Sequence, residues 1–165
     1  MTASRRMISF DHETTRFQFR AAAIIRREGH VLIHRATTEE SWALPGGRVE
    51  MGEISSEALA RELEEELGVV AAIGPLAIVM EDLFRYDGRV IHEMGFYYPA
   101  EIPTSFPFST DAVCHRVADG GAMLEFRWVR NDAETLAAMP LFPVELRGSM
   151  AELGPHPIHV VVNEL

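Results

Sequence analysis

Residues 46–68, GGRVEMGEISSEALARELEEELG, constrain this chain more than any other stretch. Gly46, Gly47 and Gly52 permit a tightly folded loop that bulkier residues would block. The segment 55–67 then reads as a helix, closed by Gly68. Ser55 or Ser56 is the expected N-cap, and Glu57 falls in the first turn, where the helix dipole favours negative charge. At 100° per residue Leu59, Leu63 and Leu67 form one apolar stripe, so this helix packs on a core. Glu62, Glu65 and Glu66 share the adjacent face at i, i+3 and i+4, whereas Arg61, Glu57 and Glu64 are read as pointing roughly the other way.

Three carboxylates converging beside an apolar stripe repel one another, by roughly 0.2–0.5 kcal/mol per pair on an exposed helix and by more where water is excluded. Arg61 reaches Glu57 and Glu65 along the helix, but one arginine does not neutralise the five glutamates between 57 and 66. An all-oxygen donor set suits a hard cation, Mg²⁺ or Mn²⁺, over zinc. On these residues alone, a solvated acidic face with no ligand is an equally good reading.

The rest of the chain reads as strands around that helix. Segments 17–26 and 31–35 form an expected hairpin across Glu28-Gly29-His30, and Asp87-Gly88 marks a second hairpin with 89–101 as its return strand. Segments 69–81, interrupted at Gly74-Pro75, 123–130 and 158–162 are β-like. Segments 132–139, capped by Asn131 or Asp132, and 143–153 are expected short helices. Segment 103–122 is expected to be a long loop, of the kind that often serves as a lid. Residues 1–15 read as an N-terminal arm or short edge strand, and 16–165 as the one domain. The fold class is therefore α/β (α+β).

Composition closes off other classes. Fifteen basic residues, all arginine, against 25 acidic ones give a net charge of −10, which argues against nucleic acid and against an anionic membrane surface as partner. No apolar run is long enough to span a bilayer. The single cysteine, Cys114, makes no internal disulfide, so a reducing, cytoplasmic location is the default expectation.

Gly47, five residues, Glu53, seven residues, then Arg61-Glu62-Leu63-Glu64-Glu65-Glu66-Leu67-Gly68-Val69 resembles the Nudix box at every fixed position, with Leu63 and Val69 at its aliphatic sites. The preceding Trp42-Ala43-Leu44-Pro45-Gly46-Gly47 resembles the usual entry to that box. The resemblance implies an α/β/α sandwich around a mixed sheet and a Mg²⁺-dependent (or Mn²⁺-dependent) hydrolase that cleaves a nucleoside diphosphate linked to another moiety. It implies that Glu62, Glu65 and Glu66 bind metal with Gly47 contributing or shaping the loop. It further implies that Arg61 orients a box glutamate and that Glu53 binds metal through water or helps to activate it. In that family the general base lies in the box or outside it. Glu93 and Glu125 are the outside candidates, and Glu81 and Asp82 rank below them. Arg20 and Arg35 are candidate phosphate contacts, and Tyr86, with Phe84, Tyr97 and Trp42, a candidate base-stacking group. His34 and His92 read as ordinary strand residues. The family commonly forms homodimers, which leaves a homodimer open here. The rival reading from another class is a catalytically silent nucleotide-metabolite sensor on the same fold.

Overall fold

The computed structural model describes residues 5–150 and 153–165. Residues 1–4 of the expected arm, and 151–152 of the expected last helix, lie outside the described residues.

Buried and half-buried positions alternate along 89–101, whereas 21–25 are buried without a break because both faces are covered, and both patterns give long strands. Two dominate: β2 (Thr15–Arg27) and β7 (Arg89–Glu101), paired in parallel from Thr15↔Val90 to Ile25↔Ala100. β6 (Ile78–Tyr86) joins β7 through the Asp87-Gly88 turn, and β10 (Ile158–Asn163) lies parallel to β6. β3 (His30–Ala36), β9 (Ala122–Arg130) and β8 (His115–Asp119) continue the sheet beyond β2. The short strands β1 (Ser9–His12) and β4 (Gly46–Arg48) pair with β2, and β5 (Ala72–Ile73) pairs with β7. The result is a mixed sheet of ten strands among the described residues.

The hairpin of β2 and β3 stays closed only at Arg26↔Val31 and Arg27↔His30, beside its turn. Beyond that the two strands part, and residues 42–48 enter the gap. Ala43 exchanges backbone hydrogen bonds with His34 of β3, while the Ala23 amide of β2 donates to Pro45 and β4 pairs with Arg20–Ala22. Gly46 is required here by contact, because a Cβ would collide with the Ala21 carbonyl and the Ala22 Cα.

Helix α1 (Ser55–Leu67) covers one face of the sheet. Its stripe packs as expected, with Leu59 and Leu63 fully buried, Leu67 nearly so, and Ala58 beside them. Their partners include Ala21, Ala23, Leu32, Phe126 and Trp128. Gly68 closes the helix at φ 67°, its amide donating to Glu64. The expected serine cap is not present. Ile54 occupies the N-cap with no side-chain bond, and the Ser55 hydroxyl instead shares a 2.6 Å hydrogen bond with that of Tyr98. Burying Ser55 against the sheet removes it from solvent and from the capping geometry.

The opposite face is covered by α2 (Ala133–Ala137) and α3 (Leu146–Ser149), whose Leu136 and Leu146 pack on Ile24, Ile33 and Ile78. Asp132 caps α2 by accepting from the Thr135 amide at 2.8 Å. Helix, sheet and helices make the three-layer sandwich that the sequence implied.

Two expectations are corrected. Within 103–122, β8 pairs with β9 across Asp119-Gly120-Gly121-Ala122, a turn signal that had been absorbed into the loop reading. Its first part is no lid. Arg27 donates to the Phe106 and Pro103 carbonyls and Trp128 to that of Pro107, and Phe106 is buried in the helix-side core. Residues 69–77 contribute only the two-residue β5 ahead of β6, because Gly74-Pro75 interrupts pairing.

Leu63→Ala is expected to cost about 2–5 kcal/mol by leaving a cavity between helix and sheet; a denaturant midpoint equal to that of the parent protein would show that the stripe does not anchor α1.

Candidate active site

The loop between β4 and α1 is tied to the helix by one side chain. Arg61 Nε and Nη2 donate to the two carboxylate oxygens of Glu53, at 2.8 and 3.0 Å, and Nη1 donates to Glu62 Oε1 at 2.7 Å. Glu53 Oε2 also accepts the Glu50 amide, which closes the loop on itself. Arg61 therefore does not point away from the acidic face. A helical projection gives the direction of Cβ, and the long arginine side chain turns back over the first helical turn to the loop. The forked contact holds the Glu53 carboxyl below its ordinary range.

Gly47 lets the second half of this arrangement exist, since a Cβ there would overlap the Glu62 carboxylate. Glu62 is raised above its ordinary value, by burial first, with Arg61 opposing. Glu66 lies deeper, 5% exposed, on the sheet side of the helix. Its carboxyl is pushed up to about 8, by burial first and then by Glu62. Its Oε2 has no hydrogen-bond partner among the described residues. That atom stands 3.8 Å from His34 Nδ1, also unpartnered, on a ring that burial holds down to about 3 and hence neutral. Glu65 is half exposed and paired outward with Arg5 at 2.6 Å and with Arg61 at 3.4 Å.

The carboxylates thus lie along one face without forming a ready-made cage. No group of three or more His, Cys, Asp or Glu among the described residues is close enough to hold a metal ion. The donor chemistry nonetheless fits a hard cation. The set is all oxygen, Glu66 carries an orphaned buried oxygen, and burying a carboxylate without a partner is costly unless a proton or a cation compensates it.

A cavity of about 440 Å³ opens on the other face of the sheet, reached across β4 and β2. Arg16, Gln18, Arg20 and Arg48 line it on the loop side, and Glu93 and Asp82 on the far side. Arg20 links the two regions: it donates to the Leu44 carbonyl at 2.9 Å, approaches His34 to 3.5 Å, and its charge opposes the upward shift of Glu66. Tyr86 forms part of the exposed rim, its hydroxyl donating to Glu39 at 2.6 Å. Glu93 is buried and accepts from Gln18 Nε2.

Two candidates lie elsewhere. Arg35 does not line the cavity; its Nε donates to Glu125 at 2.8 Å and its guanidinium sits 4.4 Å from the Trp42 ring. Glu125 faces Arg35 and Arg116 and so is already doubly paired. Sequence reasoning passed over Gln18 and Arg48 and read His34 as an ordinary strand residue. The alternation of Arg16, Gln18 and Arg20 along one strand was the available signal for a shared face.

Asp82 is 5% exposed, and its Oδ1 has no partner among the described residues. Burial first, then the Glu93, Glu164 and Glu145 charges, push its carboxyl from 3.8 up to about 7.

A glycine-gated loop, a carboxylate-bearing helix and a mixed sheet between helical layers define a class of protein, the Nudix fold. The chain matches the family profile described as NUDIX domain over residues 16–144 and belongs to that family. Over 82 residues it is 37% identical to a CTP pyrophosphohydrolase of Escherichia coli, covering 47% of this chain and 59% of that one. Over 76 residues it is 45% identical to an 8-oxo-dGTP diphosphatase of Haemophilus influenzae, covering 43% and 54%. The chain thus spans less than two thirds of the length of these relatives. A crystal structure of a MutT NUDIX hydrolase from Burkholderia pseudomallei superposes with a TM-score of 0.62 at 25% identity, covering 82% of this chain and 98% of that one. Among the described residues no helix is long and apolar enough to cross a membrane.

Two tests follow from this geometry. Gly47→Ala should leave the fold within about 1 kcal/mol of the parent, because only a flexible side chain must move, while Gly46→Ala, which meets backbone, should unfold at clearly lower denaturant. Equal midpoints for the two variants would contradict the contacts described. Second, Asp82 binds its proton more tightly folded than unfolded, so between about pH 4 and 7 the unfolded state holds fewer protons. Stability should then fall as pH rises through that window, with a slope of up to about 1.4 kcal/mol per pH unit from this group. Urea midpoints should fall across that window, and Asp82→Asn should remove its share of the slope while leaving that of Glu66.

Proposed function

We propose that this chain is a Mg²⁺- or Mn²⁺-dependent hydrolase that cleaves the pyrophosphate link of a small nucleoside diphosphate derivative. The observation that carries the reading is the unpartnered, buried Glu66 carboxyl next to Glu62 on a helix whose loop is pinned by Arg61. Glu62 and Glu66 would hold the cation, with Glu65 joining once it leaves Arg5, and Gly47 keeping the loop clear of Glu62. A bound divalent ion supplies neutralisation of phosphate charge and acidification of a water. The chain supplies the rest. Arg20 and Arg48, on the cavity side of the loop, orient the diphosphate. Arg61 holds Glu53 and Glu62 at fixed spacing. The proton of the attacking water would pass to a box glutamate that does not hold the cation. Glu93 and Glu125 are not assigned that proton, since Gln18 holds the first and two arginines the second.

The pyrophosphohydrolase relatives support this class of reaction, and their printed substrates, CTP and 8-oxo-dGTP, set the first compounds to try. Tyr86 at the rim is available to cover a base. The sensor reading loses ground because each box glutamate is kept.

Glu66→Gln removes one charge and little packing, so it should lower turnover at least 10²-fold, leave unfolding of the metal-free protein no easier than in the parent, and abolish the rise in melting temperature on adding Mg²⁺. Chromatographic separation of the nucleotide products formed from nucleoside triphosphates, dinucleoside polyphosphates, ADP-ribose, nucleotide sugars and coenzyme A esters checks it. Retained turnover, or no hydrolysis of any of these by the parent protein, would overturn the assignment.

A further inference from the structure

Apart from the exposed Arg85 of β6, the cavity is polarised across the strands. In the order β4, β2, β7, β6 its floor runs from Arg48, through Arg16, Gln18 and Arg20, to Glu93 and then Asp82. Gln18, Glu93 and Asp82 are direct register partners, so they form one row across three adjacent strands. Gln18 donates to Glu93 and fixes it, whereas Asp82, nine-tenths buried and next in the row, keeps an oxygen with no partner among the described residues. Two carboxyls directly opposite on neighbouring strands repel. Among the described residues neither forms an ion pair, with only the Arg48 charge acting on Glu93 from two strands away, and Glu164 adds a further acid at the same edge. The walls beside the row are flat and apolar: Phe84, Ile91 and Phe142.

We propose that the Asp82–Glu93 pair determines base specificity, by bracketing the exocyclic amino group of a nucleobase held between those walls. This rests on the nucleotide reading of the site and deepens it. An amino group is the nucleobase substituent that offers two N–H donors from a single atom, one for each carboxyl. A keto oxygen in the same place offers none and, above about pH 7 where Asp82 is ionised, faces two acceptors. The basic side of the floor lies toward the glycine loop, so phosphates seated at Arg20 and Arg48 direct the base edge to the acidic side. The cavity thus selects amino-bearing bases such as cytosine and adenine over their keto counterparts, because buried polar groups left unpaired by the wrong base are costly.

The test compares CTP with UTP and ATP with ITP, two pairs in which the amino group is exchanged for a keto group. With Mg²⁺, the parent protein is expected to show kcat/KM at least 10-fold higher for the amino member in each pair it accepts. Asp82→Asn, which keeps the shape but turns one acceptor into a donor, should bring the two members within about 3-fold, chiefly through KM. Glu93→Gln should act in the same direction, so the inference does not depend on one variant folding. Equal kcat/KM within both pairs for the parent, or an unchanged preference in both folded variants, would overturn the assignment while leaving the hydrolase reading intact. If the parent hydrolyses none of the four, the hydrolase reading is decided by the wider panel of substrates. Calorimetric binding of CMP against UMP and AMP against IMP then decides: an amino preference lost on Asp82→Asn supports the bracket, and equal or absent binding overturns it.

Discussion

Two missing methyl groups set the geometry on which the rest of this structure depends. At Gly46 the loop lies against the backbone of β2, and at Gly47 it lies against the Glu62 carboxylate of α1. A side chain at Gly46 would force the loop off the β2 backbone, and one at Gly47 would displace the Glu62 carboxylate. The close approach is possible because β2 and β3 part after two residue pairs and leave a gap that residues 42–48 fill. Arg61 then locks the loop to the helix through Glu53 and Glu62. Backbone packing places the helix, and a forked ion pair fixes its register against the loop.

The electrostatics follow from that placement. The helix buries its leucine stripe, and Glu66, one position from Leu67, is carried below the surface with it. Its carboxyl resists ionisation because water is excluded and Glu62 is near. A buried acid of this kind is a poor stabilising element and a good cation ligand, since a divalent ion repays the desolvation that a lone carboxylate cannot. On the opposite face of the sheet the same physics acts on Asp82, with Glu93 in place of Glu62. The two acids differ in their neighbours. Glu66 faces a neutral imidazole and a loop rich in backbone polar groups, whereas Asp82 faces aromatic walls and an arginine row two strands away. The first environment suits a metal and the second an uncharged donor. In a strongly anionic chain, Arg20 and Arg48 are gathered at one side of one cavity, beside Arg16, which is paired with Asp11.

The local elements were legible from residue order. Leucines at i, i+4 and i+8 gave the helix and its buried face, Gly68 its end, Asp87-Gly88 the hairpin, and Asp132 the cap of α2. The box spacing gave the family, because the loop-and-helix chemistry is confined to 23 consecutive residues. Elsewhere local rules fell short. Ser55 had the right chemistry for a cap but was captured by Tyr98, which is 43 residues away in sequence. The Asp119-Gly120-Gly121 turn was visible, yet β8 gains its stability from β9 and from no pattern of its own. Arg35 and Glu125, each read as a site residue, neutralise one another across 90 positions.

The sequence by itself therefore determined the short-range facts: the glycine loop, the amphipathic carboxylate helix and the family they define, since periods of 3.6 and 2 and fixed spacings are properties of the chain alone. Only the tertiary structure decided which acids are unpaired, that Arg61 turns to Glu53, that His34 stands by Glu66, and that Gln18, Glu93 and Asp82 line up in one row. Those relations depend on strand register and burial. Both arise from contacts between residues tens of positions apart, where the energy of a charge is set by its surroundings and not by its neighbours in sequence.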